Sequence, residues 1–447
     1  MSGFCSPGFV MSTNRFSLSL GSQSCNINKY ILNCSLLKSE QRPSLARIEE
    51  QLMGNICRCT GYRPILDAMK SFAGSCESRE RSVSIPDIED LDSWVELCPG
   101  PESGCRVMRM RGKTWMTPTS LESLLQQLQE VPDSYKLLSG NTGSAILQDS
   151  PDLSVIIDIS QVAELKAVQR SPLQVGGGVT ITDAVAHFQS IQEQDPASYK
   201  YLKTMSDNLV YLAGPAVRDM ASVAGNLMIK HQHHNFPSDI FSMLEALGAK
   251  ITIASHSSGG KIQTSEYSLA EWLDVDMKRK VILHISLPPK GTNCKFQFFK
   301  VSPRSSFAVA HVNGAFCAEF DKQDQKTIKR ASFVFGGVSG NFIHPSNTEA
   351  YIVGKDLTRP DVMNKLFELL SAEVVVDDGP HLTSGEFRAG LVSALLYKFL
   401  LWSLQDSGIV DEKKESFAHN ITTDILLKRE ISIYLLSIIC FVMVKSD

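Results

Sequence analysis

The 447 residues predict an α+β multidomain protein on three observations. Between 106 and 290, short apolar strand patterns alternate with amphipathic helical ones, which argues for an α/β unit in two lobes. From Phe296 onward, Phe/Val/Ala-rich strands are followed by two long helical stretches, a second, α+β unit. With 43% hydrophobic and 21% charged residues, the chain can fill two or three separate cores.

In chain order, the spacing of Ile65, Leu66, Met69 and Phe72 after Pro64 predicts a helix. Residues 12–41 are Ser/Asn-rich and aperiodic and read as an inserted loop, and 74–105 read as a linker. After Arg109 a strand is expected, then a helix through Val131 with Thr117 or Thr119 as its cap and Glu122 in its first turn. Residues 154–159 read as a buried strand. Residues 173–185 read as a strand, a glycine turn at Gly176, Gly177 and Gly178, and a helix capped by Thr182. A helix over 240–249 and strands over 250–254 and 280–287 lead to Pro288 and Pro289, which end the unit. Helices over 362–372 and 388–404 close the second one. The tail, 407–447, contains an apolar-leaning run of 14 residues at 431–444, shorter than the roughly 20 residues a membrane span needs.

The formal net charge of −4 carries no basic field, so nucleic acid is not an expected partner, and neither is a membrane. No charged segment followed by an apolar one opens the chain. Of 11 cysteines, eight (Cys5, Cys25, Cys34, Cys57, Cys59, Cys76, Cys98, Cys105) precede residue 106. That clustering reads as metal ligation in a reducing, cytoplasmic compartment rather than as a disulfide framework. Cys57 and Cys59 lie just ahead of a predicted helix, where a thiolate is favoured. His231, His233 and His234 have no cysteine or carboxylate at ligand spacing and read as a polar loop.

Two stretches carry the candidate binding chemistry. In 212–239, small residues (Ala213, Gly214, Ala216, Ala221, Ser222, Ala224, Gly225) alternate with single larger ones, so backbone can approach a flat ligand closely. Its polar side chains are few and short, as in an apolar pocket where a few groups orient the ligand. In 135–144, Gly140 and Gly143 bracket Asn141 and Thr142 in a loop able to aim amides at an anion. It is neither a Walker loop nor G-x-G-x-x-G, and by spacing alone it is a weak motif.

Together, KLLSGNTG, AGPAVRDMASVAGNLM with FPSD behind it, FQFFKVSPRSSFAVAHVNGAF and CRCTGYRP resemble the molybdenum hydroxylase family of aldehyde oxidases and xanthine dehydrogenases. The GNLMIK…FPSD wording looks most like the insect aldehyde oxidases within it. The resemblance implies a partial helical [2Fe–2S] domain at 1–73 and a two-lobed FAD-binding domain of the PCMH type at 106–290. A flavoprotein C-terminal α+β domain would follow at 294–406. It further implies that Leu137, Leu138, Ser139, Gly140, Asn141, Thr142, Gly143 and Ser144 cradle the pyrophosphate. Leu212 would stand where the family has an aromatic near the flavin, and Ser222, Val223, Ala224, Gly225 and Asn226 would line it. Asp239, Leu283 and Lys300 complete the implied FAD set, and Cys5, Cys57 and Cys59 the implied metal ligands.

Ser2 stands where the family has the first cluster cysteine, and a hydroxyl is a poor replacement for a thiolate. With three matching ligands and an insert between the halves, little [2Fe–2S] is expected. The molybdopterin domain is not represented in the sequence. The expected role is therefore electron transfer from aldehyde oxidation to flavin and on to O2 or another acceptor, with a homodimer left open. The alternatives are a self-sufficient flavin oxidoreductase and a non-catalytic fragment that binds FAD or dimerises.

Overall fold

The computed structural model describes residues 44–52, 63–70, 106–110, 113–145, 153–257, 261–304, 307–377 and 383–409. Cys5, Cys57, Cys59, the 12–41 insert, the 74–105 linker and the tail beyond 409 lie outside them.

Two short helices come first, α1 (Leu45–Leu52) and α2 (Arg63–Lys70), joined by an ion pair between Lys70 and Glu49. Pro64 is tolerated because the first-turn N–H it lacks would have no helical partner.

The first lobe runs β1 (Arg106–Met110), β2 (Lys113–Thr117), α3 (Leu121–Glu130), β3 (Tyr135–Leu138) and β4 (Val155–Asp158). Its sheet has the order β1-β2-β4-β3, with an antiparallel β1–β2 hairpin and β4 parallel to both neighbours. The cap of α3 is Ser120, whose Oγ accepts from the Ser123 amide at 3.2 Å, and not Thr117 or Thr119. The buried stripe Leu121, Leu124, Leu125 and Leu128 makes Leu121 the first helical residue, which leaves Thr117 in β2.

The second lobe holds β5 (Val168–Arg170), β6 (Leu173–Gly176), α4 (Ile181–Gln194), α5 (Tyr201–Leu209), α6 (Val223–Gln232), α7 (Asp239–Ala246), β7 (Lys250–His256), β8 (Ile262–Ser268) and β9 (Lys280–Leu287). Its antiparallel sheet has the order β5-β6-β9-β7-β8. Thr180 caps α4 through the Asp183 amide at 3.1 Å. Thr182 is the second residue of the helix and donates to Asp219 Oδ1 at 2.6 Å, so the cap expected at Thr182 is corrected by two residues. The displacement follows from Ile181, which is buried and must itself be helical. Helix α5, absent from the sequence expectations, buries Tyr201, Leu202, Met205 and Leu209.

The C-terminal domain is a meander of β10 (Cys294–Val301), β11 (Val312–Phe320) and β12 (Ile328–Gly336), followed by α8 (Ser346–Ile352), α9 (Pro360–Glu373) and α10 (Gly385–Asp406). Strand β11 is buried on both faces: Ala315 and Cys317 join the core of the second lobe, while Phe316, Ala318 and Phe320 pack towards α9 and α10. This explains its unbroken apolar run. Among the described helices, α10 alone is long and apolar enough to cross a membrane, and half of its apolar window is buried in the protein.

Candidate functional site

The two glycine-bearing stretches meet at the seam between the lobes. A methyl group at Gly140 would stand 1.9 Å from the Met220 carbonyl oxygen, and one at Gly143 would stand 3.0 Å from Ile229 Cδ1. Only glycine at 140 lets the loop lie on the second lobe, and Asn141 beside it adopts a left-handed φ of 53°. Leu137 from β3 and Leu283 from β9 pack against the same cluster of Val155, Ile157, Ala254 and Val281, which ties the lobes together beneath the loop.

The wall opposite is the start of α6. Ser222 caps it, accepting from the Gly225 amide at 3.1 Å. The Val223 amide donates to Val179 O and the Ala224 amide to Gly177 O, both at 3.0 Å, while the Asn226 amide returns to Ser222 O at 3.2 Å. The first amides of α6 are thus committed within the protein, so this stretch offers surface shape more than a set of open donors. Gly177 is a packing glycine, since a methyl group there would meet Ile282 O at 2.5 Å and Ala224 Cβ at 3.0 Å.

From the wall a polar chain runs into the C-terminal domain. Ser238 Oγ donates to Asn226 Oδ1 at 2.6 Å and accepts from the Phe241 amide at 3.0 Å. Asp239, the first residue of α7, takes Lys300 Nζ on Oδ2 at 2.6 Å and Asn313 Nδ2 on Oδ1 at 2.9 Å. Asp239 and Lys300, each predicted separately from the sequence, form one nearly buried ion pair with side chains 8% and 14% exposed.

Three residues missed by sequence reasoning complete the neighbourhood. Arg218 is buried, donates to Leu212 O at 3.3 Å and Ala213 O at 3.0 Å, and approaches Glu50 of α1 at 3.6 Å. Burial lowers its pKa, while Glu50 and Asp219 oppose that. It connects the N-terminal helices to the backbone at Leu212. Lys230 has no carboxylate beside it among the described residues, and burial lowers its pKa to about 8. Its ammonium donates to His234 O and lies 5.6 Å from the Phe241 ring and 6.0 Å from the Phe342 ring, which holds the turn ahead of Asp239. Phe307, with φ of 55°, supplies an aromatic ring beside Gly214, where a methyl group would come within 2.3 Å of Cε1. Leu212 itself packs into the second-lobe core.

His231 Nε2 donates to Val275 O at 2.8 Å and the ring packs on Trp272, and the described residues contain no cluster of three metal-ligating side chains. Leu138, Ser139 and Thr142 line the Gly140 loop, half-buried, and Ser144 follows in its short helical turn.

Residues 108–290 match the model of the FAD binding domain in molybdopterin dehydrogenase. Residues 297–403 match the CO dehydrogenase flavoprotein C-terminal domain, and 1–70 a [2Fe–2S] binding domain. An abscisic-aldehyde oxidase of Arabidopsis thaliana is 27% identical over 91% of this chain and 31% of its own length. Xanthine dehydrogenase 1 of the same plant is 28% identical over 93% of this chain and 33% of its own length. Aldehyde oxidase 1 of Rattus norvegicus is 27% identical over 90% of this chain and 31% of its own. The chain thus spans about a third of the length of these relatives. In fold it is similar to quinoline 2-oxidoreductase from Pseudomonas putida 86, with a TM-score of 0.53 at 19% identity, covering 68% of this chain and 100% of the other. Carbon monoxide dehydrogenase from Hydrogenophaga pseudoflava gives a TM-score of 0.54 at 15% identity, over 66% and 97%.

Proposed function

The chain belongs to the molybdenum hydroxylase family of aldehyde oxidases and xanthine dehydrogenases, and from that premise we propose that it holds FAD in the seam between its lobes and carries electrons from aldehyde oxidation to O2 or another acceptor. It corresponds to the FAD- and [2Fe–2S]-binding electron-transfer portion of its relatives. The observation that carries the reading is the approach of Gly140 to Met220, which joins the two predicted stretches into one cleft wall that no larger residue would allow.

These residues fit an extended, anionic, flat ligand. The 137–144 loop presents backbone towards a pyrophosphate, with glycine where side chains would intrude. Val223, Ala224 and Gly225 offer a smooth face, and Leu137, Leu212 and Leu283 keep water from it. Lys300, held by Asp239, is a nearly buried cation whose charge opposes negative charge on the ligand. Asn313 holds Asp239 from the other side, so the pair stays oriented without the ligand. Arg218 fixes the carbonyls of Leu212 and Ala213 while reaching Glu50, which couples the placement of α1 to that wall. FAD, when bound, supplies reversible acceptance of electrons. Cys5, Cys57 and Cys59 are three of the four thiolates an iron–sulfur centre takes, with Ser2 in the place of the fourth, so the purified chain is expected to carry little iron. A cytoplasmic location and a homodimer belong to the same proposal.

The purified chain is expected to retain FAD noncovalently, measured by absorbance and by release on denaturation. Replacing Gly140 by leucine or Ser222 by phenylalanine should strip it. Wild-type flavin content in both variants would overturn the assignment, and direct reduction of the purified chain by an aldehyde would favour a self-sufficient flavin oxidoreductase instead.

A further inference from the structure

A groove of about 440 Å³ opens between α5, β10 and the end of α10, and it shares no residue with the flavin wall. Thr204, Asn208, Gln297, Trp402 and Asp406 line it, and Cys294 lies in its wall. Behind Cys294 is Cys317, whose Sγ is 3.3 Å from that of Cys294 and which is 6% exposed. These are the two cysteines among the described residues, and both are free thiols. In the β10–β11 register Cys294 faces Glu319 and Phe296 faces Cys317, so the two thiols are diagonal neighbours on one face of the sheet.

The two sulfurs are not equivalent. Cys294 can be reached from the groove, and its pKa is lowered, first by the hydrogen bond with Cys317 and then by Lys290 and Arg330, against burial and Glu319. Cys317 is enclosed, and the same contact together with burial raises its pKa well above the ordinary thiol value. Cys294 also begins β10, directly after a turn in which its amide donates to Gly291 O at 2.9 Å. A bond near 2.05 Å requires the two sulfurs to approach by roughly 1.2 Å.

We propose that Cys294 and Cys317 are a reversible oxidation site for small hydroperoxides, with Cys294 as the attacking and Cys317 as the resolving thiol. The Cys294 thiolate attacks the terminal peroxide oxygen, the O–O bond breaks, and the protein keeps a sulfenic acid while hydroxide or alkoxide leaves. The Cys317 thiol then attacks that sulfur, forming the disulfide and releasing water. Overall two thiols are oxidised by two electrons and one peroxide is reduced. An added thiol reductant reverses the change by exchange. The site requires nothing of the FAD assignment.

The test is hydrogen peroxide on the native full chain, followed by alkylation and non-reducing peptide mapping. A linked Cys294–Cys317 peptide should become the dominant form of both residues and disappear on treatment with dithiothreitol. Cys317→Ala should accumulate a Cys294 sulfenic acid trapped by dimedone, and Cys294→Ala should leave Cys317 reduced under the same treatment. If both thiols of the wild-type chain remain alkylatable while a small free thiol in the same tube is oxidised, the proposal fails. It fails equally if Cys294 passes to the sulfinic acid without the linked peptide. The wild-type chain decides the question by itself, even where a variant does not fold.

Discussion

At the lobe seam, Gly140 lies so close to Met220 that an added methyl would sit 1.9 Å from its carbonyl oxygen. In the C-terminal domain, the Phe316 ring is enclosed by Phe333, Phe335 and Phe399 at centroid distances of 5.9, 5.3 and 5.4 Å. The first region gets its shape from missing side chains, committed amides and a polar chain ending in a buried ion pair. The second is filled with aromatic mass in edge and stacked contacts, which stabilise without presenting any group to a ligand. A seam of the first kind contributes little apolar burial, so it needs a well-packed neighbour to hold it. Strand β11 supplies that link, with Cys317 and Ala315 facing the second lobe and Phe316 facing the helices.

The contrast predicts that the two regions fail differently. The largest effect is expected from Gly140→Leu, which forces the loop off Met220: flavin should be lost from a chain whose unfolding transition is otherwise cooperative. If flavin remains, the seam is not the binding wall. Next, Phe316→Ala should cost about 3–5 kcal/mol of stability, the range for deleting a buried phenylalanine, measured by urea unfolding. Flavin content of the protein that remains folded should change little, and flavin loss at full stability would erase the distinction between the regions.

Lys300→Met leaves Asp239 without its cation and should cost about 3 kcal/mol, the lower end for breaking a buried pair. It touches both regions, because Asp239 begins α7 and Lys300 lies on β10. Both stability and flavin affinity should therefore fall. A companion Asp239→Asn in the same chain should restore part of the stability and none of the flavin affinity. Recovery of both would show that the pair only packs.

The smallest effect is a pH dependence at the join. His344 bridges Glu245 of α7 at 3.1 Å and Glu349 of α8 at 3.0 Å. Burial opposes the charged ring, but hydrogen bonds to Glu245 and Glu349 outweigh it and lift the pKa to about 9. Because that folded value lies above the unfolded value of about 6.5, the stabilisation is complete below the unfolded pKa and drains as pH rises through the folded one. Allowing for the part-exposed ring, roughly 1–2 kcal/mol should be lost between these limits. The melting temperature followed over that range should drop in the wild type and stay flatter in His344→Gln. Parallel curves would mean that the clasp contributes nothing.

Residue order alone carried the alternation of strands and helices, the break near Pro288, the Gly140 loop and the small-residue wall. Each is a local property: periodicity, φ freedom or the absence of Cβ. The family resemblance added Asp239 and Lys300, but as separate positions. That they form one ion pair depends on α7 and β10 packing across 61 residues of chain, and no spacing in the sequence encodes that distance. The same holds for Asn313, which reaches Asp239 across 74 residues of chain, whereas Arg218 and Lys230 hold carbonyls of their own neighbourhood, five and four residues away. The caps at Ser120 and Thr180 went to serine and threonine as expected in kind. Which hydroxyl caps was decided by the neighbouring buried side chain, Leu121 or Ile181, since the apolar contact sets where the helix starts and the cap must precede it. Cys294 and Cys317 are separated by 23 residues and become partners only because the β10–β11 register sets them diagonally on one face of the sheet.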